Sequence, residues 1–137
     1  TMSQWEAAHG FREERYHVCR IGLTEDRKEL YDRINARVES MFRRGWVEEV
    51  RDILSRGYEP SCKPFSAIGY REILLYLKGS VDYGDMVTQI KRETRRYAKR
   101  QMTWFSKADA GFVTWFRYPE NREDIWKQVD LFLHPRT

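Results

Sequence analysis

Apolar positions along the chain recur at helical spacing for most of its length. Leu30, Ile34, Val38, Met41 and Phe42 follow one another at three- and four-residue intervals, which predicts a helix behind the turn at Thr24. Thr24 is the expected N-cap, with Glu25 and Asp26 in the first turn, where the helix dipole favours carboxylates. Gly45 interrupts the stripe. Trp46, Val47, Val50, Ile53 and Leu54 resume it up to Gly57. Residues 58–66 (YEPSCKPFS) read as a proline-punctuated loop, and Ala67–Leu77 as a short helix closed by Lys78-Gly79. A long helix is expected from Tyr83 to Lys107 and a last one from Glu123 to Leu133, burying Ile125, Trp126, Val129, Phe132 and Leu133. Residues 2–8 have the look of a helix end stopped by Gly10. Only two stretches read as strands, His17–Leu23 and Phe112–Phe116, the second followed by the turn residues Pro119 and Asn121. The fold class is therefore mainly α with two short strands. Two strands do not make a stable sheet alone, so they either pair as an edge ribbon or belong to a larger sheet.

At 137 residues, 41% hydrophobic and 15% aromatic, the chain is long enough for a real core and reads as one unit, or a piece of a larger one. No apolar run approaches the roughly 20 residues that cross a bilayer. No signal peptide is visible, and the start at Thr1-Met2-Ser3-Gln4-Trp5 is abrupt, as at a cleavage boundary. Cys19 and Cys62 are far apart and have no CxxC partner, which predicts free thiols in a reducing cytoplasm rather than a disulfide framework or a zinc site.

The net charge of +4 is modest, but its distribution is not. Six of the ten residues from Lys91 to Arg100 are basic and one is acidic. At about 100° per residue, Lys91, Arg92, Arg95, Arg96, Lys99 and Arg100 share one half of a helix. Met86, Val87, Ile90, Tyr97, Ala98, Trp104 and Phe105 take the other arc, which assigns Trp104 and Phe105 to packing rather than to base stacking. A basic face of this kind fits a polyanion; the bland alternative is a solvated helix face. Arg33 and Arg37 lie four apart and can clamp a phosphate or diphosphate; the alternative is a surface ion pair of Arg33 with Asp32 or Glu29. Ser66-Ala67-Ile68-Gly69-Tyr70-Arg71 enters a helix, where backbone N–H groups attract phosphate and Tyr70 can stack on a base; alternatively Gly69 permits close packing and Tyr70 is core. Gln101 and Thr103 can hydrogen-bond a base or a phosphate. His9, His17 and His134 show no ligand or triad spacing, and no GxxxxGK[ST], HExxH or GxSxG motif occurs. By its residues alone the chain is a binding element without a complete active site.

Several motifs occur in order: MSQW, IGLTEDRKELYDRINARVESMF, GWVEEVRDIL, SAIGYREILLYLKG and TRRYAKRQMTWF. Together, over residues 2–117, they resemble the C-terminal part of the bacterial tRNA dimethylallyltransferases, the isopentenyltransferase family. The resemblance implies a fragment of a P-loop-like, ATP-binding type of α/β fold with a mostly helical additional region. It implies transfer of a dimethylallyl group from dimethylallyl diphosphate to the exocyclic amine of the adenosine 3′-adjacent to the anticodon. The base is flipped out of the loop, and Mg²⁺, with ligands outside this chain, assists departure of the diphosphate. Within 1–137, the resemblance divides the chain into helices facing the diphosphate channel (24–57), a tRNA-binding loop and basic helix (58–107), and a strand with a C-terminal helix (108–137). The implied tRNA-binding residues are Ser66, Ala67, Ile68, Gly69, Tyr70, Arg71, Arg95, Arg96, Lys99, Arg100, Gln101, Met102, Thr103, Trp104, Phe105 and Ser106. Arg33 and Arg37 are the implied diphosphate-stabilising pair. The family's phosphate-binding loop, catalytic aspartate and donor-binding residues have no counterpart here, so the chain alone is expected to be inactive and to need the remainder of the enzyme. No zinc-finger extension follows the matched region, as expected of the bacterial type. The competing reading is a free-standing basic helical module that binds RNA or DNA.

Overall fold

The computed structural model describes residue 4 and residues 16–108 and 113–135, and these divide into two units, residues 1–24 with 111–137, and residues 25–110.

In the larger unit, helix α1 (Arg27–Arg43) starts two residues later than the sequence suggested. Its N-cap is Asp26, not Thr24: the Asp26 carboxylate accepts the N–H groups of Lys28 at 2.8 Å and Glu29 at 3.2 Å. A charged acceptor at that position satisfies two of the orphan donors, while Thr24 is spent in a strand. Helix α2 (Trp46–Ser55) follows directly after Gly45. The proline loop holds a 3₁₀ turn (Lys63–Ser66), and helix α3 (Tyr70–Leu77) begins three residues beyond the expected Ala67. The delay has a backbone cause. Gly69 sits at φ +97°, outside helical space. Helix α4 (Tyr83–Ala108) is as long as the periodicity predicts.

The core of this unit is Val38 from α1, Trp46, Val47 and Val50 from α2, Phe65 from the 3₁₀ turn, Ile73 and Leu74 from α3, and Met86 and Ile90 from α4. Burying each such aliphatic side chain contributes about 1.5–3 kcal/mol. Trp46 anchors an aromatic cluster, with ring centroids 5.4 Å from Phe42 and 6.1 Å from Tyr70. Buried positions on α4 end at Ile90. Beyond it the structure corrects the sequence reading: Tyr97 is exposed, and Trp104 (60%) and Phe105 (41%) are open to solvent rather than packed. Periodicity says which arc a residue occupies, not whether another element covers that arc.

In the smaller unit, β1 (Arg20–Thr24) and β2 (Val113–Arg117) pair in parallel, from Arg20 opposite Val113 to Thr24 opposite Arg117. Gly22 lets the Trp115 ring lie on the strand backbone; a Cβ there would stand 2.5 Å from the indole. Helix α5 (Arg122–Leu133) follows. Ile125, Val129 and Phe132 are half-buried, but Trp126 and Leu133 are exposed, against the expected burial. His17 stacks on Phe132 at 4.8 Å. Two parallel strands are a minimal sheet, since parallel sheets are normally covered on both faces by helices. The expected helix over residues 2–8 lies outside the described residues, apart from Gln4.

Candidate nucleic-acid interface

The basic helix divides into a fastened half and an open half. Lys91 Nζ donates to Glu39 of α1 at 2.6 Å, and Arg95 Nη1 donates to the Asn35 side chain of α1 at 2.6 Å. Both cations are half-buried, so they fix α4 against α1 as well as carrying charge. The link holds the exposed Glu39 carboxyl below its ordinary pKa, first through the hydrogen bond from Lys91 and then through its charge. Glu93 serves Arg96 at 2.9 Å and Arg92 at 3.5 Å. Lys99 and Arg100, one turn on, meet no carboxylate among the described residues, and Arg100 lies 5.7 Å from the centre of the Tyr97 ring. Next to them the Trp104 and Phe105 rings stand edge to face, 4.8 Å apart. Met102 and Gln101 are exposed there too. The hydroxyls of Thr103 and Ser106 donate to the carbonyls of Lys99 (3.0 Å) and Thr103 (3.2 Å), which leaves their oxygens able to accept. The end of α4 thus combines cations that meet no carboxylate among the described residues with open aromatic faces, a pairing suited to single-stranded nucleic acid.

The Ser66–Arg71 segment is held from within. Its organiser is Glu72, 1% exposed and the one buried charged side chain among the described residues. Glu72 Oε2 accepts the Gly69 N–H at 2.7 Å, and Oε1 accepts Arg71 Nε at 3.0 Å and Nη2 at 2.7 Å. These bonds raise the Arg71 pKa, the hydrogen bond to Glu72 first and its charge second. The guanidinium is therefore aimed yet more than half exposed. Ser66 Oγ donates to the Lys63 carbonyl at 2.7 Å, Ala67 is exposed, and Ile68 packs on the core. Tyr70 is committed to protein contacts: its ring meets Trp46 and Phe65, and its hydroxyl donates to Glu49 at 2.5 Å. That hydrogen bond, then burial, lifts the Tyr70 pKa above the ordinary value. The packing alternative thus describes Gly69 and Tyr70 in this structure.

Glu72 was not singled out from the sequence, although the signal was there. A glutamate three residues after a helix N-cap is the capping-box spacing, and Gly69 and Glu72 have it.

Arg33 and Arg37 occupy the side of α1 turned away from α4. Asn35 and Glu39 touch α4, and at about 100° per residue the two arginines lie roughly 160–200° round the helix from Asn35. Their environments differ. Arg33 Nη1 donates to both Glu25 oxygens, at 2.7 and 2.9 Å. Arg37 is exposed and makes no hydrogen bond or ion pair among the described residues. The ion-pair alternative therefore describes Arg33, with Glu25 as partner in place of Asp32 or Glu29. No three His, Cys, Asp or Glu side chains gather as a metal cage among the described residues.

A profile of IPP transferases matches residues 1–108. The chain belongs to the IPP transferase family. It is 45% identical over 131 residues to tRNA dimethylallyltransferase 1 of Trichlorobacter lovleyi, covering 96% of this chain and 42% of the relative. It is 51% identical over 124 residues to tRNA dimethylallyltransferase of Alkaliphilus metalliredigens, covering 87% and 39%. Among solved structures it is similar to the full-length tRNA isopentenylpyrophosphate transferase of Bacillus halodurans (TM-score 0.80, 36% identity), covering 90% of this chain and 42% of that one. It is also similar to the Staphylococcus epidermidis tRNA Δ(2)-isopentenylpyrophosphate transferase (TM-score 0.75, 30% identity), covering 93% and 42%. The chain spans about two fifths of the length of these relatives. No helix among the described residues is long and apolar enough to cross a membrane.

Proposed function

We propose that this chain is the tRNA-recognition part of a cytoplasmic tRNA dimethylallyltransferase. The enzyme transfers a dimethylallyl group from its diphosphate to the exocyclic amine of the adenosine 3′ to the anticodon. The family membership and the names of the relatives support the reaction. The observation that carries the role of this chain is the open end of α4, where Lys99 and Arg100, which meet no carboxylate among the described residues, adjoin the exposed Trp104 and Phe105. Arg95, Arg96, Lys99 and Arg100 neutralise backbone phosphates, while the exposed rings take a base unstacked from the loop. Arg71, aimed by Glu72, adds a fixed guanidinium beside the 3₁₀ turn. Extraction of the target adenosine follows the general requirement for chemistry on a base.

Arg37 stabilises the departing diphosphate, because its charge meets no carboxylate and its donors are unspent among the described residues; Arg33 serves only when it leaves Glu25. A magnesium ion, if held, takes its ligands from the rest of the enzyme, and no role of these residues depends on it.

A graft tests the proposal. This chain replaces the matching segment of the full-length Bacillus halodurans relative, and transfer of labelled dimethylallyl to tRNA is followed. Restored transfer that falls on Lys99→Ala through a raised KM for tRNA is expected. A folded graft that binds the prenyl donor yet gives no tRNA binding would refute it.

A further inference from the structure

Arg27 and Arg95 come from different helices and converge on one ring. The Arg27 guanidinium carbon lies 5.2 Å from the centre of Tyr31, and its Nε donates to the Tyr31 hydroxyl at 3.3 Å. The Arg95 guanidinium carbon lies 6.0 Å from the same centre. Neither guanidinium reaches a carboxylate among the described residues. Their neighbours do: Lys28 pairs with Asp32 at 3.0 Å, Arg33 with Glu25 at 2.7 Å and Lys91 with Glu39 at 2.6 Å. The partner of the half-buried Arg95 is Asn35, a neutral acceptor that leaves the charge uncancelled.

Two like charges gathered on one ring repel each other. The ring face offsets part of that cost, and the positive end of the α1 dipole beside Arg27 adds to it. An anion bound beside these guanidinium groups would offset it. Each arginine has spent only part of its five N–H donors, so forked donors remain for tetrahedral oxygens.

We propose that Arg27, Tyr31 and Arg95 form a phosphate-binding site that extends the basic face of α4 onto α1 and holds a backbone phosphate of the bound RNA. The site rests on the reading of α4 as an RNA-binding helix. It is distinct from Arg33 and Arg37, which lie on another side of α1.

The test uses the 137-residue chain and a labelled anticodon stem-loop, with Kd measured over a series of KCl concentrations. Arg27→Ala and Arg95→Ala should each weaken binding about 3- to 10-fold and lower the salt slope by about 0.7–0.9, as loss of one phosphate contact does. The double variant should lose little more than either single one. Lys28→Ala is the control: it removes the same charge from the adjacent position but leaves the site intact, and should change Kd less than about 2-fold. Equal losses for Lys28→Ala and Arg27→Ala would overturn the site, leaving only diffuse charge. Loss of affinity for Lys99→Ala but not for Arg27→Ala or Arg95→Ala would overturn it while sparing the RNA-binding reading. A second arm titrates inorganic pyrophosphate into the wild-type chain and Arg27→Ala. Should the wild-type chain ignore RNA but bind pyrophosphate through Arg27, the occupant is a free diphosphate and the RNA reading fails. Binding of neither overturns both.

Discussion

Gly69→Ala should unfold the larger unit far more easily than a single added methyl suggests. The backbone at Gly69 has φ +97°, which an alanine reaches only with strain of about 1–3 kcal/mol. The added Cβ would stand 2.1 Å from two carbons of the Trp46 indole, against an ordinary contact of 3.4 Å or more. The indole is buried and boxed by Phe42 and Tyr70, so relief requires movement of the core, at about 1–3 kcal/mol for overpacking. The two costs together are about 2–6 kcal/mol, a large share of the 5–15 kcal/mol typical of a domain. Urea denaturation followed by tryptophan fluorescence at 25 °C measures the loss directly. A change below about 1 kcal/mol would refute the wedge of Gly69 against Trp46.

Glu72→Gln should destabilise by about 1–3 kcal/mol in the same assay, because one carboxylate satisfies both the Gly69 N–H and the Arg71 guanidinium; it should also weaken RNA binding, and not when Arg71 is already alanine. Tyr70 has a pKa raised in the folded state, so its contribution is complete below the ordinary tyrosine value near 10 and is lost as pH rises through the folded value. Denaturation midpoints from pH 8 to 11 should therefore fall more steeply for the wild-type chain than for Tyr70→Phe, and parallel curves would contradict this. In the grafted enzyme, Arg37→Ala should slow prenyl transfer more than Arg33→Ala, read as kcat at saturating tRNA; the reverse order would show that Glu25 releases Arg33 during the reaction.

What the sequence revealed depended on how local the cause was. The α1 stripe ending in Val38, Met41 and Phe42, and the α2 stripe through Val50, are set by three- and four-residue spacing, and both elements stand where that spacing placed them. The sorting of charge on α4 was equally legible. Which of those charges stay open was not, because Arg95 meets Asn35 across 60 residues and Lys91 meets Glu39 across 52. Trp104 was misread since an apolar arc was taken as a covered arc. Glu25 was read only as a helix-start carboxylate, yet it folds back on Arg33, eight residues ahead, and separates two arginines that look equivalent in the sequence. Of the segment 66–71 the capping spacing was readable, but the indole beneath Gly69 was not.

The central claim, that the open end of α4 recognises the anticodon arm, is tested most directly by a salt titration of the 137-residue chain. The ligands are an anticodon stem-loop carrying the target adenosine and a scrambled hairpin of equal length. The account predicts salt-sensitive binding that prefers the correct loop, with the preference lost in Trp104→Ala and the salt slope reduced in Lys99→Ala. Equal affinity for both hairpins, unchanged in Trp104→Ala, would contradict it.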